Sequence, residues 1–315
     1  MSAAEMRPPE LTTVAFTNRI EWHSAAAATL NAAARFWFLV AVTGQWMFAS
    51  YIALVYGGAA VQGNLQAWTR RLAHGYESGN TVGNTVLFTH LLFASAISFM
   101  GALQLIPKIR SRFPLFHRWN GRIYIVVAFI MGVTALYLML SGRRLVGDRM
   151  QHVAVVINAF LIILFAAMAW RTAVARRFNP HRRWALRLFL VVGGVWFFRV
   201  GLFLWFVINK GPAGFDPKTF IGPFITFLSF AQYLLPLAVL ELYFIAQDHA
   251  GVPGRMAMAA GLFVLTLAMG VGILAATIGL WLPRIKSATT GGAPTRQHTA
   301  SHRPSSKASS QGVVR

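Results

Sequence analysis

Residues 151–170 read QHVAVVINAFLIILFAAMAW, and residues 171–184 continue RTAVARRFNPHRRW. The first stretch carries no lysine, arginine, aspartate or glutamate, over about the 20 residues that a helix needs to cross a bilayer. The second crowds Arg171, Arg176, Arg177, Arg182 and Arg183 around Pro180. An apolar run followed by a basic, proline-broken connection reads as a membrane-spanning helix with an anchored loop.

The same pattern repeats along the chain. Spans are expected near 36–57, 83–106, 121–140, 151–170, 184–208, 221–246 and 257–282. Pro107, Pro114, Gly142, Gly147, Pro180, Gly211, Pro212, Gly251 and Pro253 fall between them. The predicted fold is all-α: a polytopic membrane protein of about seven transmembrane helices. Residues 1–35 read as an N-terminal cytoplasmic segment, 36–283 as the transmembrane domain and 284–315 as a disordered basic tail.

Composition agrees with that reading. Of 315 residues, 56% are hydrophobic and 12% charged, against about 25% charged in a soluble domain. The net charge of +21, from 29 Lys+Arg and 8 Asp+Glu, would suggest nucleic acid in a soluble protein. Here the basic residues gather in short loops between apolar runs, so the expected partner is the lipid bilayer and not nucleic acid. The chain has no cysteine, which removes disulfides, iron–sulfur clusters, thiolate zinc and haem attached through Cys-x-x-Cys-His. Residues 1–35 hold three Glu and no continuous apolar core, unlike a cleavable signal peptide.

Loop charge predicts the orientation. The second–third connection holds Lys108, Arg110, Arg112, Arg118 and Arg122, and the fourth–fifth holds Arg171, Arg176, Arg177, Arg182, Arg183 and Arg187. The opposite loops are poorer: Arg70 and Arg71, then Arg143, Arg144 and Arg149, then Lys210 and Lys218. The expectation is a multi-pass protein of the cell inner membrane with a cytoplasmic N-terminus. The basic tail argues the other way.

An internal repeat appears when the histidines are aligned. One copy runs from His90 to SRFPLFHRW, ending at Trp119; the other runs from His152 to RRFNPHRRW, ending at Trp184. The spacings His90–His117 and His152–His181 are 27 and 29 residues. Each copy predicts a helical hairpin, so spans two to five form a pseudo-symmetric four-helix core. His90 and His152 then lie towards the outer face, and His117 and His181 at the inner face. From His90 to Ile106 is 16 residues, about 24 Å of helix.

Two imidazoles from facing helices suit b-type haem, which fills its axial positions with histidine. The candidate metal ligands are His90 with His152, and His117 with His181. Arginine is a good partner for anionic propionates, which adds Arg199 at the outer site and Arg122 and Arg187 at the inner. A histidine at a helix start among Arg and Trp also serves simply to meet headgroups, which is the plain alternative for His117 and His181. His90 lies inside an apolar helix, where ionisable residues are functional candidates by default. Glu241, the acid inside a span, is expected to pair with an arginine. Gly270, Gly272, Ala275 and Gly279 predict a close helix–helix seam.

These residues resemble a bacterial predicted-membrane-protein family, domain of unknown function 2306. The likeness rests on His90, Gly101 and Gln104, on His117-Arg118-Trp119-Asn120-Gly121-Arg122-Ile123-Tyr124, and on Asn179-Pro180-His181-Arg182-Arg183-Trp184, Arg187 and Arg199. It covers roughly residues 83–208. The alternating histidines are also similar to two-haem transmembrane b-type cytochromes, which implies the same two axial pairs. The leading expectation is a haem b-binding electron-transfer protein, with a quinone, ferric ion or another small acceptor as its redox partner. The alternatives are a non-redox transporter or sensor with a polar intramembrane site at His90, Arg199 and Glu241, or a structural subunit of a membrane complex.

Overall fold

The computed structural model describes residues 9–63, 76–141 and 147–290, with side chains from Glu21 onward. Arg70, Arg71, His74, Arg143, Arg144, His298 and His302 lie outside the described residues. Helix α1 is Pro9–Ile52, continued by a π turn at Ala53–Gly57 and a short α2, Gly58–Val61. Then come α3 (Thr81–Leu105), α4 (Pro107–Arg112), α5 (Pro114–Leu140), α6 (Arg149–Val174), α7 (Phe178–Val192) and α8 (Gly194–Asn209). The described chain ends with α9 (Pro223–Asp248), α10 (Val252–Ala276), a second π turn at Thr277–Trp281 and α11 (Leu282–Thr290).

Six of these helices, counting each π turn with its neighbours, are long and apolar enough to cross a membrane. The bent pair α7–α8 makes a seventh span. The protein is an all-α, multi-pass membrane protein.

Local chemistry sets the boundaries. Asn80 caps α3, accepting the Gly83 N–H at 2.8 Å, and Asp148 caps α6, accepting the Gln151 N–H at 2.9 Å. Side-chain oxygens at these positions satisfy N–H groups that a helix start leaves unpaired. Pro107, Pro114, Pro223 and Pro253 sit in first turns, where the missing N–H costs nothing. Before α9, Gly222 has φ 155°, and a Cβ there would meet the Gly214 carbonyl at 2.5 Å.

Three expectations are adjusted. Helix α1 begins at Pro9, well before Phe36: Ala25–Ala28 and Ala32–Ala34 favour helix, and Ala26 and Leu30 are buried, with Leu30 packed against Ala246, Ala259 and Leu262. Residues 284–290, read as the start of a disordered tail, are helical because Ile285 and Ala288 pack on the core around Trp281. The fifth span is two helices meeting at 54°. Gly193 stands at the break, where glycine weakens a helix by about 0.5–1 kcal/mol relative to alanine.

Packing orders the bundle. Helix α5 lies against both α3 and α6, and α6 lies against α7. Helix α1 packs along α10 and also on α3, while α10 packs on α8. Two apolar cores follow, one around Phe48, Trp196 and Trp281 and one around Tyr124, Phe165 and Leu188. The predicted glycine seam is real at Gly272, whose Cβ would meet the Val200 carbonyl at 2.5 Å, and at Gly279 against Phe203. Gly270 has nothing within 4 Å.

Candidate intramembrane site

The inner histidines are placed by matching helix starts. His117 is the fourth residue of α5 and His181 the fourth of α7. Each backbone N–H returns to the residue four before it, Phe113 at 3.0 Å and Arg177 at 2.9 Å. Three residues after each histidine-proximal tryptophan an arginine folds over the ring: Arg122 over Trp119 at 5.1 Å and Arg187 over Trp184 at 4.7 Å. The repeat seen in the sequence is thus a repeat of side-chain contacts. His117 and His181 lie close enough to interact electrostatically. His181 Nδ1 meets the Ala169 carbonyl at 3.0 Å. A carbonyl only accepts, so Nδ1 carries the proton and Nε2 keeps its lone pair.

The inner arginines have other work. Arg187 gives two hydrogen bonds to Glu241, 2.7 and 2.8 Å, as the sequence suggested for that acid. Arg183 pairs with Asp248. Arg122 is exposed.

The outer histidines part company. His90 stands nine residues into α3, whereas His152 stands three into α6. At about 1.5 Å per residue, helices starting level would hold the two about 9 Å apart in depth. His90 Nδ1 is bound instead to Thr134 Oγ1 on α5, at 2.9 Å. Thr134 spends its own proton on the Ile130 carbonyl at 2.8 Å, so His90 donates from Nδ1 and its Nε2 holds the lone pair. Thr134 thus orients the His90 ring across the α3–α5 contact.

The structure brings His90 and Arg199 together. Both line a cavity of about 130 Å³, with Gln45, Phe48 and Tyr51 from α1, Tyr124 from α5 and Trp196 from α8. Arg199 lies over Phe48 at 5.4 Å. Its Nε is buried with no partner, as are the Trp196 Nε1 and the Tyr124 hydroxyl. Among the described residues no carboxylate pairs with Arg199. The Gln45 side chain, only 4% exposed, lies on the same cavity. Each unpaired buried polar group costs about 1–3 kcal/mol, and an uncompensated charge costs more. Native proteins rarely collect such costs on one wall unless a ligand or ordered water relieves them. An engineered apolar cavity of about 150 Å³ in an unrelated protein admits benzene, and clefts for larger ligands run to about 300–1,000 Å³. This volume suits one six-membered ring and not a porphyrin.

Residues 87–234 match a family described as predicted membrane protein. That family is DUF2306. No curated protein and no solved structure matches the chain. The DUF2306 domain runs from α3 into α9, beyond the 83–208 stretch read from the sequence. It contains His90, His117, His152, His181, Arg122, Arg187 and Arg199. It does not contain Gln45, Phe48 or Tyr51, so α1 completes the cavity from outside the domain. Glu241 likewise reaches Arg187 from beyond its end.

Gln45 had no signal in the sequence as a site residue, and Tyr124 entered only as the last residue of the His117–Tyr124 motif. Both are uncharged members of apolar helices. Gly101 was the usable hint: a Cβ there would meet the Tyr124 ring at 2.9 Å and Phe189 at 3.2 Å. The missing side chain lets Tyr124 lie flat beside the cavity.

Proposed function

We propose that this membrane protein binds a small oxygen-bearing anion inside the bilayer, at the cavity shared by His90 and Arg199, as a transporter or sensor does. The observation that carries the reading is Arg199, whose buried Nε has no acceptor and which has no carboxylate partner among the described residues, on the wall of a ring-sized cavity. The bend at Gly193 supports it. Broken helices beside polar groups are how transporters build sites within the membrane, and Gln45, Asn158 and Gln232 all approach Gly193 or Gly194.

The test is thermal stability of the purified chain in lipid nanodiscs against a panel of small carboxylates and oxyanions. At least one should raise the melting temperature of the wild type and leave Arg199→Gln unmoved. A panel that moves neither protein overturns the reading.

A second reading, haem b-based electron transfer, is favoured by the lone pairs left on Nε2 of His90 and His181. Fixing Nδ1–H to an acceptor is how metal-binding histidines are oriented. In this reading His117 and His181 hold the haem, which supplies one-electron chemistry to a quinone, ferric ion or another small acceptor. Haem content and a reduced-minus-oxidised spectrum test it: His117→Ala and His181→Ala should each lose the b-type absorbance of a haem-replete wild type. A wild type without that absorbance ends the reading. Either function is read in the cell inner membrane with a cytoplasmic N-terminus, supported by the basic connections at 108–122 and 171–187.

A further inference from the structure

We infer that the cavity takes a single-ring aromatic carboxylate bearing a hydroxyl group, its carboxylate on Arg199 and its hydroxyl on His90 Nε2. The inference rests on the anion-site reading above and names the class of ligand.

Charge, size and polarity each narrow the class. A planar guanidinium matches a carboxylate through two parallel hydrogen bonds. Trp196 Nε1, on a residue 2% exposed, is a donor and nothing else, so it asks for an acceptor as well. A carboxylate offers about four lone-pair positions, enough for both. Phe48, Leu91, Ile97, Met131, Phe189 and Val192 give the cavity apolar walls, beside the hydroxyl-bearing Tyr51, Tyr56, Ser98 and Tyr124. Such walls in about 130 Å³ reward a flat ring, which a halide or a bare phosphate does not supply. A neutral quinone ring would fit the volume but leave the Arg199 charge uncompensated.

His90 sets the far end of the ligand. Its Nδ1 proton is held by Thr134, whose hydroxyl is in turn bound to Ile130. The cavity-lining imidazole therefore has an acceptor nitrogen to offer, and its complement is a hydroxyl donor. Tyr124 and Gln45 can donate or accept, so they adapt to either end.

The experiment uses the full chain in nanodiscs, with calorimetric titration of 4-hydroxybenzoate, benzoate, benzyl alcohol, acetate and phosphate. The expected order is 4-hydroxybenzoate over benzoate by about tenfold, the worth of one buried hydrogen bond, with no binding of benzyl alcohol. Trp196→Phe removes one N–H while keeping a ring, and should weaken both aromatic acids about tenfold. Arg199→Gln should abolish both. His90→Phe should bring 4-hydroxybenzoate down to benzoate and leave benzoate unchanged. Should His90→Phe fail to fold, Thr134→Val tests the same end, because it frees the tautomer that His90 now holds. Acetate or phosphate binding without either aromatic acid overturns the ring assignment and leaves the anion site standing. Equal wild-type affinity for the two acids overturns the role given to His90. No binding of any anion overturns both this inference and the anion site beneath it.

Discussion

Arg199 and Arg187 show how differently one residue type is used within one bundle. Arg187 has a bidentate carboxylate partner and two aromatic faces, Trp184 at 4.7 Å and Phe244 at 5.5 Å. Arg199 has one aromatic face and no acid. The first arrangement holds helices together; the second leaves a buried guanidinium N–H without an acceptor. The Arg187–Glu241 pair is only partly sheltered, at 18% and 46% side-chain exposure, so water screens it. Its coupling energy should be about 1 kcal/mol, read by a double-mutant cycle of Arg187→Ala and Glu241→Gln followed through thermal unfolding. A coupling near zero would show that Arg187 acts through its aromatic contacts alone.

At the scale of elements, the N-terminal end of α6 is tied down by one carboxylate. Asp148 accepts the Gln151 N–H at 2.9 Å and the Thr226 hydroxyl at 3.2 Å, and Gln151 Nε2 donates to the Phe220 carbonyl at 3.1 Å. The α8–α9 connection is thereby stitched to the start of α6. Donation from the Gln151 backbone N–H holds the Asp148 carboxyl below its usual range, with Thr226 adding to it. A carboxyl whose folded value is depressed stabilises the fold above its unfolded value, about 4. That contribution is lost as pH falls through the lower folded value. Hydrogen exchange at Gln151 and its neighbours should therefore speed up below about pH 4 beyond the intrinsic chemistry. Asp148→Asn should remove this dependence, because asparagine caps without titrating. Unchanged protection of α6 in the wild type from pH 7 to pH 3 would refute the cap's role.

Over the whole molecule, the seven-span reading fixes which loops share a face. The absence of cysteine makes the test clean, since any introduced thiol is the only one. With a cytoplasmic N-terminus, Ser111→Cys should resist an impermeant maleimide in intact cells and Ser141→Cys should react. The reverse result inverts the orientation. Reaction of both would mean that α5, which lies between them, does not cross. Within this frame α1 has a double role, packing along α10 and placing Gln45, Phe48 and Tyr51 on a cavity otherwise built from the DUF2306 domain. The matched domain alone lacks that wall.

The membrane character, the number and rough limits of the spans, and the His-to-Trp repeat were all determined by the sequence itself. Uncharged runs of bilayer length and basic, proline-broken loops are properties of the chain taken in order. The repeated helix starts at His117 and His181 are equally local, because proline placement fixes them. Even the Arg187–Glu241 pair was legible, since a lone acid in a bilayer needs a cation. Only the tertiary structure decided what the outer histidines meet. Sequence spacing counts residues along one helix, whereas the His90–Thr134 bond joins α3 to α5 across 44 positions of the chain. The bend at Gly193 was likewise hidden, because a glycine in an apolar run is common in membrane helices that do not break. The cavity depended on tertiary packing most of all. Gln45, Tyr124, Trp196 and Arg199 come from α1, α5 and α8, and they line one cavity only when three helices bring them together.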